Sequence, residues 1–399
     1  MGAALNAGAL WLQPGGEHPA FRRYAELFGR LFRRFEVLDY RAGYLDSGPE
    51  DLERSVLSAL EASTPELLIY SQFPGSYAYL SPAFLAALRE RRLVVGMGFD
   101  DEIYFDQAKY FYQACSAAIT TDIEAAYRLN HAGIPAHVAV TAWLAQAPPP
   151  AAAPENEDIA VSFVGDMTKP GRRNYIRHLE ANGFPVADFG KGSRSSTIMD
   201  SAVSDVFRRS KINLNFTATN PPRWVLRHDP LRADARQIKG RPFELAAMGR
   251  FCLCEWAPCV EHWFRPGVDI GVFRDADDLV DQVRRYLGND ALRRGMSAAA
   301  QERFRAELAP EVQFTRVFSR ILAESGRSAR PLPAPALGGA IFYESMGRSR
   351  GVAFLHALRR GSPVRAMREI PMKWSWHLEY WRGFVEAVVD TIVGRLRRP

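Results

Sequence analysis

Residues 162–183 read SFVGDMTKPGRRNYIRHLEANG: a short apolar run, a turn holding Gly165 and Gly171, and a stretch of helix length whose first turn is basic. A glycine at a strand end lets the backbone come close to a ligand, and a helix N-terminus offers unpaired N–H groups and a positive dipole end to phosphate. Lys169, Arg172 and Arg173 supply the countercharge. The same residues also fit an ordinary strand-to-helix turn with solvated arginines. The full dinucleotide fingerprint is missing, which disfavours a nicotinamide or flavin enzyme.

Outward from this segment, short β-branched or apolar runs alternate with amphipathic stretches in both halves of the chain. Strands are predicted at 8–12, 36–39, 67–73, 93–99, 117–121 and 137–140, and again at 159–165, 186–189, 212–216, 251–255 and 270–273. Helices are predicted over 19–35, 49–62, 82–91, 106–115, 123–132, 172–182 and 243–248, several of them starting at proline or after aspartate. This is an α/β pattern of parallel sheets covered by helices. At 146–154, QAPPPAAAP can hold neither a helix nor a central strand. The predicted organisation is a Rossmann-like domain at 1–147, a linker at 148–156, a second Rossmann-like domain at 157–330 and an extension at 331–399.

Composition agrees with two lobes, because 399 residues exceed the ~250–300 at which single cores stop growing. A hydrophobic share of 47% with 24% charged residues is that of a soluble globular protein. No apolar run reaches the ~20 residues of a membrane span. Residues 1–12 have no basic residue before their apolar stretch and read as a first strand, so a cytoplasmic protein is expected. Cys115, Cys252, Cys254 and Cys259 have neither disulfide-framework nor zinc spacing and read as reduced, mostly buried thiols. The net charge of +6 suits an anionic ligand or an acidic membrane surface, but the basic residues are spread along the chain and no nucleic-acid motif accompanies them.

A second segment is more specific. KINLNF at 211–216 is followed by QIKGRPFELAAMGRFCLCEW at 237–256, where Asn213 and Asn215 end a strand, Lys239 and Arg241 occupy a loop, and Glu244 starts a short helix that ends at Gly249. An acid in the first turn of a helix is a routine dipole partner. A carboxylate can also accept the two hydroxyls of a ribose while nearby cations hold a diphosphate.

Taken together, FVGD at 163–166, NLNF at 213–216, RPFELAAMG at 241–249 and the stretch 264–304 resemble the nucleotide-sugar-binding half of glycosyltransferases of the GT-B fold, particularly the CgeB-like, spore-maturation-type group. The resemblance implies GT-B architecture, two Rossmann-like domains with parallel sheets facing a central cleft, and transfer of a sugar from a nucleoside-diphosphate sugar to an acceptor hydroxyl without a metal or other cofactor. It implies that Glu244 binds the donor ribose, that Arg172 and Arg241 bind the diphosphate, and that Gly165, Lys169, Asn215 and Lys239 complete the donor site. A non-catalytic nucleotide-sugar-binding or assembly protein of the same fold is the alternative. Many retaining members carry two glutamates eight positions apart, and the position eight before Glu244 is Arg236, so retention of anomeric configuration is not supported. No P-loop is present, which argues against phosphoryl transfer.

The first half resembles the acceptor domain of that fold. QPGGEHPAFRRYAELFGRLFRRFEV at 13–37 looks like a glycine-rich loop and first helix that close over donor phosphates, with Gly16 as a donor contact and His18 towards substrate or simply at the surface. GMGFDDEIYF at 96–105 places Asp100 and Asp101 at the carboxyl end of a strand, as base, acceptor contact or helix cap. The tail KWSWHLEYWRGFVEAVVDTIVGRLRRP at 373–399 combines Trp374, Trp376, Tyr380 and Trp381 with an amphipathic helix ending in arginines. Such a helix either lies at a membrane interface or packs back on the first domain. The acceptor, a glycan, lipid-linked sugar or protein, is not specified by these residues.

Overall fold

A computed structural model describes residues 5–15, 18–72, 79–139, 157–195, 200–325, 339–370 and 378–396. The predicted linker at 148–156 and most of the second proline-rich stretch lie outside the described residues. Among the described residues, eleven strands form two parallel sheets. The first contains β1 (Leu5–Gln13), β2 (Phe32–Asp39), β3 (Leu67–Ser71), β4 (Leu93–Met97), β5 (Ala117–Thr120) and β6 (Ala136–Val138), in the order β2-β1-β3-β4-β5-β6. The second contains β7 (Ile159–Val164), β8 (Ala187–Phe189), β9 (Ser210–Asn215), β10 (Cys252–Glu255) and β11 (Gly271–Phe273), in the order β11-β10-β9-β7-β8. Every strand falls where the apolar runs placed it. Central strands such as β3 and β10 are buried at each residue, which is why they read as continuous apolar runs and not as alternation.

The chain divides into two compact units. One comprises Met1–Ala139, Arg227–Asp229 and Phe314–Pro399, the other Val140–Leu226 and Pro230–Gln313. The return to the first unit comes at Phe314, ahead of the predicted boundary at 330. Helix Pro310–Glu324 sets the Phe314 ring 5.3 Å from Phe28 and the Phe318 ring 4.9 Å from Phe32, and burying such aromatic surface fixes where this helix belongs. Helices Ala340–Arg359, Pro363–Glu369 and Leu378–Leu396 belong to the first unit as well.

The predicted helix 19–35 is split. It stops at Leu31, and Phe32 opens β2, which pairs with β1 from Leu5↔Phe32 to Gln13↔Asp39. Apolar residues at 28, 32 and 35 fit a helical face, but the ladder with β1 captures the second half of the run. The helix predicted at 106–115 starts earlier, at Asp101, and spans Asp101–Gln113. The four cysteines are free, three of them buried, and burial pushes the Cys115 thiol up to about 12.

Candidate functional site

In the second unit the chain leaves β7 to add β8 on one side and then crosses to add β9 on the other. Open parallel sheets hold their ligands at this reversal, beyond the carboxyl ends of the strands. A cavity of ≈ 380 Å³ is present there. Its wall is built from the start of helix Arg172–Ala181 (Gly171, Asn174, Tyr175), from Ala218 beyond β9, from Asp234 and Arg236 in the loop that follows, and from Glu255 at the end of β10.

The loops at this edge meet backbone to backbone. Gly165 N donates to Phe189 O at 2.9 Å and Met167 N to Lys191 O at 2.8 Å. A Cβ on Gly165 would lie 2.7 Å from the Phe163 ring, and one on Gly190, whose φ is +114°, would run into the Gly165 carbonyl. Gly171 starts its helix with φ +76°, a conformation that favours glycine.

Glu255 organises the cavity wall. Its side chain is 2% exposed. One carboxylate oxygen accepts from the backbone N–H of Thr217 at 2.8 Å and of Ala218 at 3.4 Å and from the Thr217 hydroxyl at 3.2 Å. The other accepts from the Tyr175 hydroxyl at 3.1 Å and from the Arg236 guanidinium. Burial, then the Glu255 charge and its hydrogen bond, push the Tyr175 hydroxyl up to about 12. Arg236 is 36% exposed and lines the cavity, so a ligand oxygen can reach it while Glu255 holds it in place. Sequence reasoning missed Glu255 and Tyr175. The available signal was an acid closing the apolar strand FCLC, but its partners lie 19, 38 and 80 residues away.

The predicted donor contacts are distributed differently from the expectation. Arg172 is 8% exposed, donates to Asp166 O at 3.0 Å and Phe216 O at 3.3 Å, and lies over the Phe163 ring. It ties the end of β7 to the end of β9 instead of standing in the cavity, and burial lowers its pKa. Asn215 is buried between β9 and β10, where its amide donates to Cys254 Sγ at 3.1 Å. Arg241 is paired with Glu244 and stacks 4.7 Å from the centre of the Phe207 ring. Lys239 is the N-cap of helix Gly240–Ala247 and makes no side-chain cap bond. None of Gly165, Lys169, Arg172, Asn215, Lys239, Arg241 and Glu244 lines the cavity, whose wall begins one residue after Lys169, at Pro170 and Gly171.

Residues 161–317, which contain the whole cavity wall, match the model of the family described as glycosyl transferase-like. No curated protein matches the chain by sequence. Among solved structures, the chain resembles sucrose-phosphate synthase from Thermosynechococcus elongatus at 10% identity and TM-score 0.56, covering 79% of this chain and 99% of that one. It resembles a glycosyltransferase from Rickettsia africae ESF-5 at 10% identity and TM-score 0.54, covering 81% and 100%. It also resembles HepE of Anabaena, solved in complex with UDP and glucose, at 12% identity and TM-score 0.54, covering 80% and 100%. The fold is GT-B.

In the first unit of this GT-B chain, His18 is exposed and caps helix Pro19–Leu31, its Nδ1 accepting from Ala20 N at 3.3 Å while its ring packs on Phe21. Gly16 lies outside the described residues, as do Trp374 and Trp376. Asp100 adopts a left-handed conformation, φ +55°, ahead of helix Asp101–Gln113. Asp101 is 1% exposed, and one of its oxygens accepts from both Tyr112 and Thr120 hydroxyls at 2.5 Å. Burial outweighs these bonds and lifts its carboxyl to about 7. These contacts tie the helix start to β5 and leave Asp101 facing the protein interior.

His228, Glu344 and Glu379, also in the first unit, bring three potential metal-ligand atoms within 4.8 Å of one another. Arg227 donates to Glu344 and Arg382 to Glu379, and these guanidinium groups supply the positive charge that a cation would.

Proposed function

We propose that this chain is a glycosyltransferase that moves a sugar from a nucleoside-diphosphate sugar to an acceptor hydroxyl, and that the cavity at the reversal between β7 and β9 holds the donor. The observation that carries the reading is that cavity, where the start of a ten-residue helix and a guanidinium seated on a buried carboxylate face the same space. A diphosphate suits these two features: it takes hydrogen bonds from helix-terminal N–H groups and from Arg236. The family match across 161–317 and the UDP and glucose bound to HepE support a sugar-nucleotide in this position.

In the reaction, the acceptor oxygen bonds to the anomeric carbon as its proton leaves to a base, and the bond from that carbon to the diphosphate breaks. Charge then accumulates on the departing diphosphate. Fixed positive groups aimed at it, Arg236 and the helix start at Gly171, stabilise that charge without a metal. Glu244, paired with Arg241 outside the cavity wall, is the residue for which the resemblance to CgeB-like enzymes implies a contact with the donor ribose, beyond the part of the donor held in the cavity. A cytoplasmic enzyme assembling a surface glycan or glycolipid is the corresponding setting.

The test is calorimetric titration of the purified chain with UDP, GDP, dTDP, CMP and their common sugar conjugates, with magnesium and with a chelator. One diphosphate binding equally in both conditions is the expected result. Absence of binding by all of them overturns the donor assignment, and binding without turnover on any acceptor assigns the chain to a nucleotide-binding role.

A further inference from the structure

The C-terminal helices of the first unit present an unpartnered surface of defined chemistry. Helices Ala340–Arg359 and Leu378–Leu396 pack with their backbones in contact: Gly383 against the Glu344 carbonyl, Gly347 against that of Tyr380, and Gly351 against that of Phe384. The inner face of the last helix, Tyr380, Phe384 and Ala387, is buried. Its other face keeps Leu378, Val385, Val389 and Ile392 exposed, at spacings of one or two helical turns.

Of the fourteen exposed large apolar residues among those described, eight lie between Leu358 and Val393, so the exposure is concentrated on the three C-terminal helices. A monomer rarely leaves apolar surface clustered in this way unless something covers it. Charge identifies what does. At the end of helix Ala340–Arg359 and on helix Pro363–Glu369, Leu358, Val364 and Met367, exposed by 44%, 68% and 62%, are interleaved with Arg359, Arg360, Arg365 and Arg368. No acid occurs between Glu344 and Glu369, and none follows Asp390. The neighbouring carboxylates are engaged within the protein, Glu386 and Asp390 with Arg348, Glu369 with Arg350 and Asp46 with Arg360, and the Arg365 guanidinium donates to the Tyr44 carbonyl.

We propose that this part of the first unit docks on an anionic lipid bilayer, with Val364, Met367, Val389 and Ile392 entering the interface and Arg359 and Arg368 meeting phosphate headgroups. Among the described residues no helix is long and apolar enough to cross a membrane, so the contact runs along the surface.

Co-sedimentation of the full chain with phosphatidylcholine vesicles, with and without phosphatidylglycerol, tests this. Binding is expected only with the anionic lipid and weakens as salt is added. An interfacial arginine contributes roughly five-fold, so Arg359→Gln with Arg368→Gln weakens binding about 25-fold. Val364→Ser with Met367→Ser also weakens it, and thermal melts of both variants confirm folding. The proposal is overturned if the wild-type chain stays in the supernatant or if folded variants bind equally. It is also overturned if light scattering shows the serine pair abolishing a lipid-independent dimer, which would make a second copy the occupant.

Discussion

Glu255→Gln keeps the shape of the cavity wall and removes its charge, and the structure states which bonds change. The carboxamide oxygen can still accept from Thr217 N, the Thr217 hydroxyl and Ala218 N, the three donors now on one carboxylate oxygen. Its NH2 group then faces Tyr175 and Arg236. The tyrosine hydroxyl can turn to accept, but a guanidinium has no acceptor, so one buried donor–donor conflict remains. A charge-assisted bond contributes ~1.5–3 kcal/mol. Because Arg236 is 36% exposed, solvent screening brings the expected loss to about 2 kcal/mol. For a unit of this size that lowers the melting temperature by roughly 4–8 °C. The decisive assay is a double-mutant cycle with Arg236→Gln, read by chemical denaturation. If the pair organises the wall, the double variant loses less stability than the two single variants together, by about 1 kcal/mol or more. Additivity within ~0.5 kcal/mol refutes the coupling and, with it, the role given to Glu255 in seating Arg236.

Three further outcomes are expected. Gly190→Ala costs about 3 kcal/mol, because a positive φ is combined with a collision against the Gly165 carbonyl, whereas Gly183→Ala, with φ +85° and nothing within 4 Å of the added carbon, costs about 1 kcal/mol; equal losses in thermal unfolding would show that the two loops do not touch. Glu244→Ala weakens diphosphate binding about tenfold or more by calorimetry while changing stability by under ~1 kcal/mol, and unchanged affinity removes Glu244 from the donor site. Asp101 has its carboxyl raised from 3.8 to about 7, so the native chain holds a proton that the unfolded chain releases. Its contribution is full below about pH 4 and is lost as pH rises towards 7, so Asp101→Asn gains stability relative to wild type over that window, by at most about 4 kcal/mol; parallel pH–melting curves for the two proteins contradict this.

The α/β class and all eleven strands of the two parallel sheets among the described residues were legible in the chain itself. Apolar runs and capping residues act on their immediate neighbours, and that information is local in sequence. The same local signals fail where two outcomes share one pattern: phenylalanines at 28, 32 and 35 suit a helix, and only the ladder with β1 ends that helix at Leu31. Most of the motifs that carry the family resemblance fall within the residues that match the glycosyl transferase-like family. The resemblance did not locate the cavity wall. Arg172, expected to meet phosphate, bonds two backbone carbonyls, and Arg236, noticed only as the wrong residue for a two-glutamate spacing, lines the cavity. Which anion a guanidinium meets depends on which strand ends and loops are brought together. Glu255, at the end of β10, collects Tyr175 from the β7–β8 connection and Thr217 and Arg236 from the long β9–β10 connection. A buried charge has to find its partners across the fold, and spacing along the chain does not encode that distance, so the tertiary structure alone decided which charges meet at this cavity.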